Sequence, residues 1–153
     1  MNNCFFNWFK SYYFHFFNFT KMKKILTAVA IFMITSCQKK VNCAQVKQIN
    51  GMSYYQDKPF SGECISYHET GVIRSVQKYI DGLDHGKWEF FHPNSKLETK
   101  AYFDKGKRIG NWLYYFYNGE LKQESYYSSA GEKNGIWIIY NKKGDTVKTI
   151  NYN

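Results

Sequence analysis

The sequence predicts an all-β chain, an elongated meander of antiparallel β-hairpins in a single twisted sheet. Three observations predict it. A motif recurs every 24 or 25 residues between Gly62 and the C-terminus. Aromatic residues form 20% of the chain and fall in register within that motif. No stretch of residues 51–153 shows the helical period of about 3.6.

The copies begin at Gly62, Gly86, Gly110 and Gly135, and span 62–85, 86–109, 110–134 and 135–153. Two residues after each glycine stand Cys64, Trp88, Trp112 and Trp137. Five residues after it stand Tyr67, Phe91, Tyr115 and Tyr140. Gly71, Ser95, Gly119 and Gly144 follow at the ninth position, and Tyr79, Phe103, Tyr127 and Tyr152 at the seventeenth. Repetition at this period marks a stack of supersecondary units that bury their apolar groups against one another. The four leading glycines, the three tryptophans and the aromatics Tyr67, Phe91, Tyr115 and Tyr140 are the expected repeat core.

Each copy reads as strand, turn, strand, turn. Gly51–Tyr55 and Lys58–Phe60 form a degenerate opening hairpin, as terminal repeats are often atypical. Trp88-Glu89-Phe90-Phe91 is a strand-favouring run, and Pro93-Asn94-Ser95-Lys96 is turn chemistry. Asn118-Gly119 and Lys143-Gly144-Asp145 repeat the turn. Leu121, Gln123, Ser125 and Tyr127 alternate with Lys122, Glu124 and Tyr126, which puts the two sets on opposite faces. Ile80-Asp81-Gly82 and Asp104-Lys105-Gly106-Lys107 return the chain to the next copy.

These residues resemble the MORN-repeat variant family: Gly-x-Trp-x-x-Tyr/Phe, then Asn-Gly-x-Leu-Lys, an aromatic and a Gly-Lys link. Gly110, Trp112, Tyr115, Asn118, Gly119, Leu121, Lys122 and Tyr127 carry the pattern best. Gly86, Trp88, Phe91, Asn94, Leu97 and Phe103 follow closely. The first copy departs with Cys64, and the last with an extra residue in Gly144–Val147. The resemblance covers residues 51–153 and implies the fold rather than one activity. It implies an interaction or scaffold module, or alternatively an antitoxin-like protein that neutralises a partner by binding.

Residues 22–37, MKKILTAVAIFMITSC, have the plan of a secretory signal: a basic start, a short apolar run and small residues. The run is too short for a spanning helix, which needs about 20 apolar residues. Ile34-Thr35-Ser36-Cys37 resembles a bacterial lipobox, which implies a signal peptide over 22–36 and lipidation of Cys37. Residues 37–50 are then a lipidated tether, with Lys39 and Lys40 beside the headgroups. The tether carries no acidic run, which such lipoproteins often use as a surface-export signal. A periplasm-facing, lipid-anchored location in the cell envelope follows. Residues 1–21 have ten aromatics and no periodicity, and read as upstream sequence ahead of a true start at Met22.

Cys43 and Cys64 form an even pair in an exported chain, either disulfide-bonded or as two buried thiols. The net charge of +9 is uneven, because residues 1–36 hold four lysines and no acid. The remainder, 17 basic and 12 acidic residues, lacks the clustered stripe of a nucleic-acid binder. His68, His85 and His92 fall in turns and links, where they read as solvated. No catalytic constellation, metal-ligand spacing or phosphate loop is present, so a non-enzyme without cofactor or metal is expected. The partner surface is expected at Tyr114, Tyr115, Tyr117, Tyr126 and Tyr127, where exposed aromatics among Lys and Glu suit a protein, peptide or glycan.

Overall fold

The computed structural model describes residues 39–152. The expectations for residues 1–21, for the signal at 22–36 and for Cys37 lie outside the described residues.

Fourteen strands follow in chain order. They are β1 (Lys40–Asn42), β2 (Val46–Ile49), β3 (Met52–Tyr55), β4 (Lys58–Pro59), β5 (Gly62–Tyr67), β6 (Ile73–Ile80) and β7 (Leu83–Asp84). Then come β8 (Gly86–Phe91), β9 (Leu97–Asp104), β10 (Lys107–Arg108), β11 (Gly110–Tyr115), β12 (Leu121–Tyr127), β13 (Lys133–Tyr140) and β14 (Thr146–Tyr152). A 3-10 turn at Cys43–Gln45 joins the first two. The four copies are the hairpins β5–β6, β8–β9, β11–β12 and β13–β14, side by side in an 11-stranded sheet.

Every copy has the same register. The residue two after the glycine faces the one fifteen after it: Cys64 with Gln77, Trp88 with Ala101, Trp112 with Ser125 and Trp137 with Ile150. The small Ala101 and Ser125 opposite Trp88 and Trp112 leave room for those rings in a single layer, while Trp137 has the larger Ile150 opposite it. The register then slips just before Tyr67, Phe91, Tyr115 and Tyr140. This bulge recurs once per hairpin and bends each one in the same sense.

The last copy keeps this register, with Tyr140 opposite Thr146 as Tyr115 is opposite Leu121. No extra residue sits in Gly144–Val147, contrary to expectation. The longer spacing arises in the link at 128–132, where the Ser128 N–H bonds the Glu132 carbonyl. The earlier links are two-residue turns, Asp81-Gly82 and Lys105-Gly106, with all four residues at positive φ. That is the backbone sense that matches strand twist.

The sheet is not purely antiparallel, and it is not alone. β1 pairs parallel with β5, and β2–β3–β4 make a separate three-stranded sheet. The tether expected over 37–50 is therefore folded from Lys40 onward. Two bonds explain why. The β1 backbone supplies the free edge of β5 with hydrogen bonds, and a Cys43–Cys64 disulfide closes the loop between them. Fully buried Ser53 docks the small sheet, its N–H donating to Gly82 O at 2.8 Å and its carbonyl accepting from Phe60 N at 2.9 Å.

Candidate functional site

The two faces of the large sheet differ in kind. One carries a continuous aromatic spine, Phe60, Tyr79, Trp88, Phe103, Trp112, Tyr127, Trp137 and Tyr152 in order. Successive ring centroids lie 5.6, 5.2, 4.7, 5.1, 5.4, 5.3 and 4.8 Å apart. Tilted and edge contacts at this spacing suit the ring quadrupoles. Each indole also donates its N–H across to the preceding hairpin: Trp88 to Lys78 O (2.8 Å), Trp112 to Tyr102 O (3.2 Å) and Trp137 to Tyr126 O (3.1 Å). The indole thus both packs and fixes the joint between copies.

The spine is covered by residues two positions before each leading glycine. Phe60, Asp84, Arg108 and Lys133 hold this place. The Arg108 guanidinium lies 4.8 Å over the Trp112 ring and donates to the Tyr127 hydroxyl at 3.2 Å. The Lys133 ammonium stands 5.0 Å from both Trp137 and Tyr152. Both are cation–π contacts made by exposed side chains lying over the buried rings. Asp84 stands where the cations stand elsewhere, and its partial burial pushes its carboxyl above the usual range. The Tyr79 phenol is pushed up to about 12, first by burial and then by the Asp84 carboxylate, against the lowering hydrogen bond of Ser53. The sequence analysis missed this row of covering residues, although the same period carries it from Phe60 to Asp84 to Arg108.

The opposite face is the candidate interaction surface. Its central row reads Ile65, Val76, Glu89, Lys100, Leu113, Glu124, Ile138 and Thr149 across the hairpins. Beside it run Tyr67, Phe91, Tyr115 and Tyr140, the residues at the bulges. These were expected in the core. Tyr67 is instead 51% exposed, and the other three are half-buried. The reason is strand alternation: an odd offset from the indole puts them on the face without the spine. The Tyr140 hydroxyl donates to Glu124 Oε1 at 2.8 Å, which raises its phenol above the ordinary value. Lys87 and Glu89 pair at 2.8 Å, and that bond raises the lysine. Apolar groups interleaved with such pairs resemble the mixed surface of a protein interface.

The leading glycines separate into types. Gly62 is buried and Gly86, Gly110 and Gly135 are half-buried or sheet-lining, all at positive φ. The tyrosine cluster expected as one patch is divided. Tyr127 is 6% exposed and belongs to the spine, and Tyr114 packs half-buried against it. Tyr126 (43% exposed) lies on the other face, and Tyr117 (58% exposed) sits past the strand end against His92. Consecutive strand residues cannot share one face, so Tyr126 and Tyr127 part.

The histidines are also more structural than expected. His68 Nε2 bonds Phe91 O at 2.8 Å and His92 Nε2 bonds Tyr115 O at 3.2 Å. Each reaches the equivalent carbonyl of the next copy and clamps the turn ends together. Among the described residues no three His, Cys, Asp or Glu side chains gather as metal ligands do. A cleft of about 290 Å³ lies over the disulfide, walled by Ser53, Gln77, Tyr79 and Trp88.

With this geometry in hand, comparison with known proteins gives a concordant frame. The MORN repeat variant matches residues 60–81, 84–105 and 108–129. Each match begins at the covering residue rather than at the glycine. A comparison with curated proteins finds no match. Among solved structures, a crystal structure described as a GtfA/B complex bound to UDP and GlcNAc is similar at 12% identity and a TM-score of 0.31. The likeness covers 76% of this chain and 27% of that one, too loose a superposition to carry an argument.

Proposed function

We infer that this chain, whose residues 60–129 are three MORN repeat variants, is a non-enzymatic interaction module. The observation that carries the reading is the half-exposed row Phe91, Tyr115 and Tyr140, with Leu113 and Ile138 beside it. Every hairpin presents the same positions, so the surface is extended and rigid at no ordering cost. A protein partner fits its mixture of rings, aliphatics and paired charges. The module is held at a bacterial membrane by lipid on Cys37, facing the periplasm. Several acyl chains, at about 0.8 kcal/mol per buried methylene, make that anchor lasting.

Two experiments test the parts separately. Cells expressing the chain from Met22 are fed labelled palmitate and fractionated. The wild type should carry label in the membrane fraction, and Cys37→Ser should lose both label and membrane association. Label retained by Cys37→Ser removes the anchor. In the second, intact cells are cross-linked and complexes purified from detergent. A partner that is lost from Tyr115→Ser/Tyr140→Ser, with the melting temperature kept, supports the face. Equal recovery by both proteins rejects it.

A further inference from the structure

The aromatic spine ends differently at its two ends. At the first, Phe60 stacks on Tyr55 at 5.8 Å, Lys39 covers the Tyr55 ring at 4.1 Å, and β1 occupies the outer edge of β5. At the other, Tyr152 stacks on Trp137, and nothing in the described residues follows it. Among the described residues β14 is the terminal strand of the sheet and pairs with β13 alone.

Its outer edge is a template for another strand. It is seven residues long and rich in β-branched side chains, has no proline, and carries one charge, Lys148. Proteins usually blunt such an edge with charges, proline or a bulge. β14 carries the bulge at Val147, but β6, β9 and β12 carry the same bulge and still accept a strand on their other side. The joint that would be made there is already specified three times within the molecule. An incoming indole donates to the residue before the spine aromatic, as at Lys78, Tyr102 and Tyr126, and stacks on the aromatic itself. The equivalents on β14 are the Asn151 carbonyl and the Tyr152 ring.

We propose that the β14 edge is a strand-addition site for an extended segment of another protein with tryptophan two residues after glycine. The indole seats on Tyr152 and donates to Asn151 O. The internal joints set the register. Glu124 faces Ile138, and Gln123 faces Ile139, across β12 and β13. The incoming residue after the tryptophan therefore lies opposite Thr149, and the next opposite Lys148. Main-chain bonds supply the affinity and the indole slot the selectivity. The described strands of a second folded copy do not supply that segment. Among the described residues its tryptophans lie on β8, β11 and β13, each already paired on both sides, and its other outer strand, β1, has no aromatic residue. Trp8, outside the described residues, follows Phe6 and not a glycine by two. The site is separate from the half-exposed face and stands whether or not that face has a partner.

The test uses the full chain and a synthetic peptide with the sequence of residues 109–116, followed by hydrogen exchange and mass spectrometry. Saturable slowing of exchange over residues 146–152 is expected. A peptide with alanine for its tryptophan should bind about tenfold more weakly, the loss of one stacked, buried ring. Tyr152→Ser should lower affinity for the first peptide and leave that for the second unchanged. The peptide substitution leaves the protein intact, so misfolding of Tyr152→Ser does not blur the result. Equal binding of the two peptides, or no slowing at β14, overturns the proposal. Self-association of the chain that Tyr152→Ser abolishes also overturns it, in favour of a second copy.

Discussion

Phe60 stacks on Tyr79 at 5.6 Å, in the place that an indole of the same repeat occupies in the other three copies. The first copy has Cys64 where they have tryptophan, and its sulfur is spent on the bond to Cys43. The spine is thus continued by a residue from the preceding link. The first repeat exchanges an indole for a covalent attachment to the N-terminal segment, and the ring that replaces it comes with the small sheet that Ser53 docks.

Removing one indole should break the stack. Trp112 touches Phe103 and Tyr127 and is covered by Arg108. Trp112→Ala should cost about 3–5 kcal/mol, seen as a fall in melting temperature. Tyr126→Ala, on the other face, should cost about 0.5 kcal/mol or less. Equal losses would show that both faces are packed alike.

The disulfide spans a sequence separation of 21, so its removal should cost about 3 kcal/mol by the loop-closure account. The loss should be local. In Cys43→Ser/Cys64→Ser, hydrogen exchange should speed up in β1 and β2 and stay slow in β11–β13. Uniform acceleration would mean that the attachment supports the whole sheet.

Two leading glycines should respond differently to alanine. At Gly62 a Cβ would run into the Lys39 carbonyl oxygen and approach the Phe60 ring, at a φ of +153°. At Gly110 a Cβ meets nothing within 4 Å, although φ is +63°. Gly110→Ala should therefore cost about 1–2 kcal/mol of backbone strain. Gly62→Ala should cost more and free β1 from β5, measurable by thermal melts and by exchange of the residues 40–42.

Stability should fall in alkali through Tyr79. Its phenol is raised from 10.0 in the unfolded chain to about 12 in the fold. Above pH 10 the unfolded chain loses this proton while the folded one keeps it. The contribution is complete below about pH 10 and is lost between there and about pH 12. Tyr79→Phe should flatten that decline in urea melts. An unchanged slope would assign the alkaline loss to other groups.

The sequence by itself determined the repeat, its register and the strand-turn-strand form of each copy. Those features are local: glycine at a fixed offset from tryptophan, Asp-Gly or Asn-Gly at the turns, and alternation along β12 are written in residues near one another. The tertiary structure alone decided which ring belongs to which face. Tyr115 and Tyr127 are equally aromatic, and only the register separates surface from spine: Tyr115 lies three residues along β11 from Trp112, whereas Tyr127 lies opposite Gly110, two residues from Trp112 and on its face. It also decided that Cys43 meets Cys64, because that depends on a parallel pairing of β1 with β5 that no local pattern announces. The covering role of Arg108 was hidden for the same reason. A lysine or arginine in a link reads as solvated until folding brings the ring of a following strand beneath it.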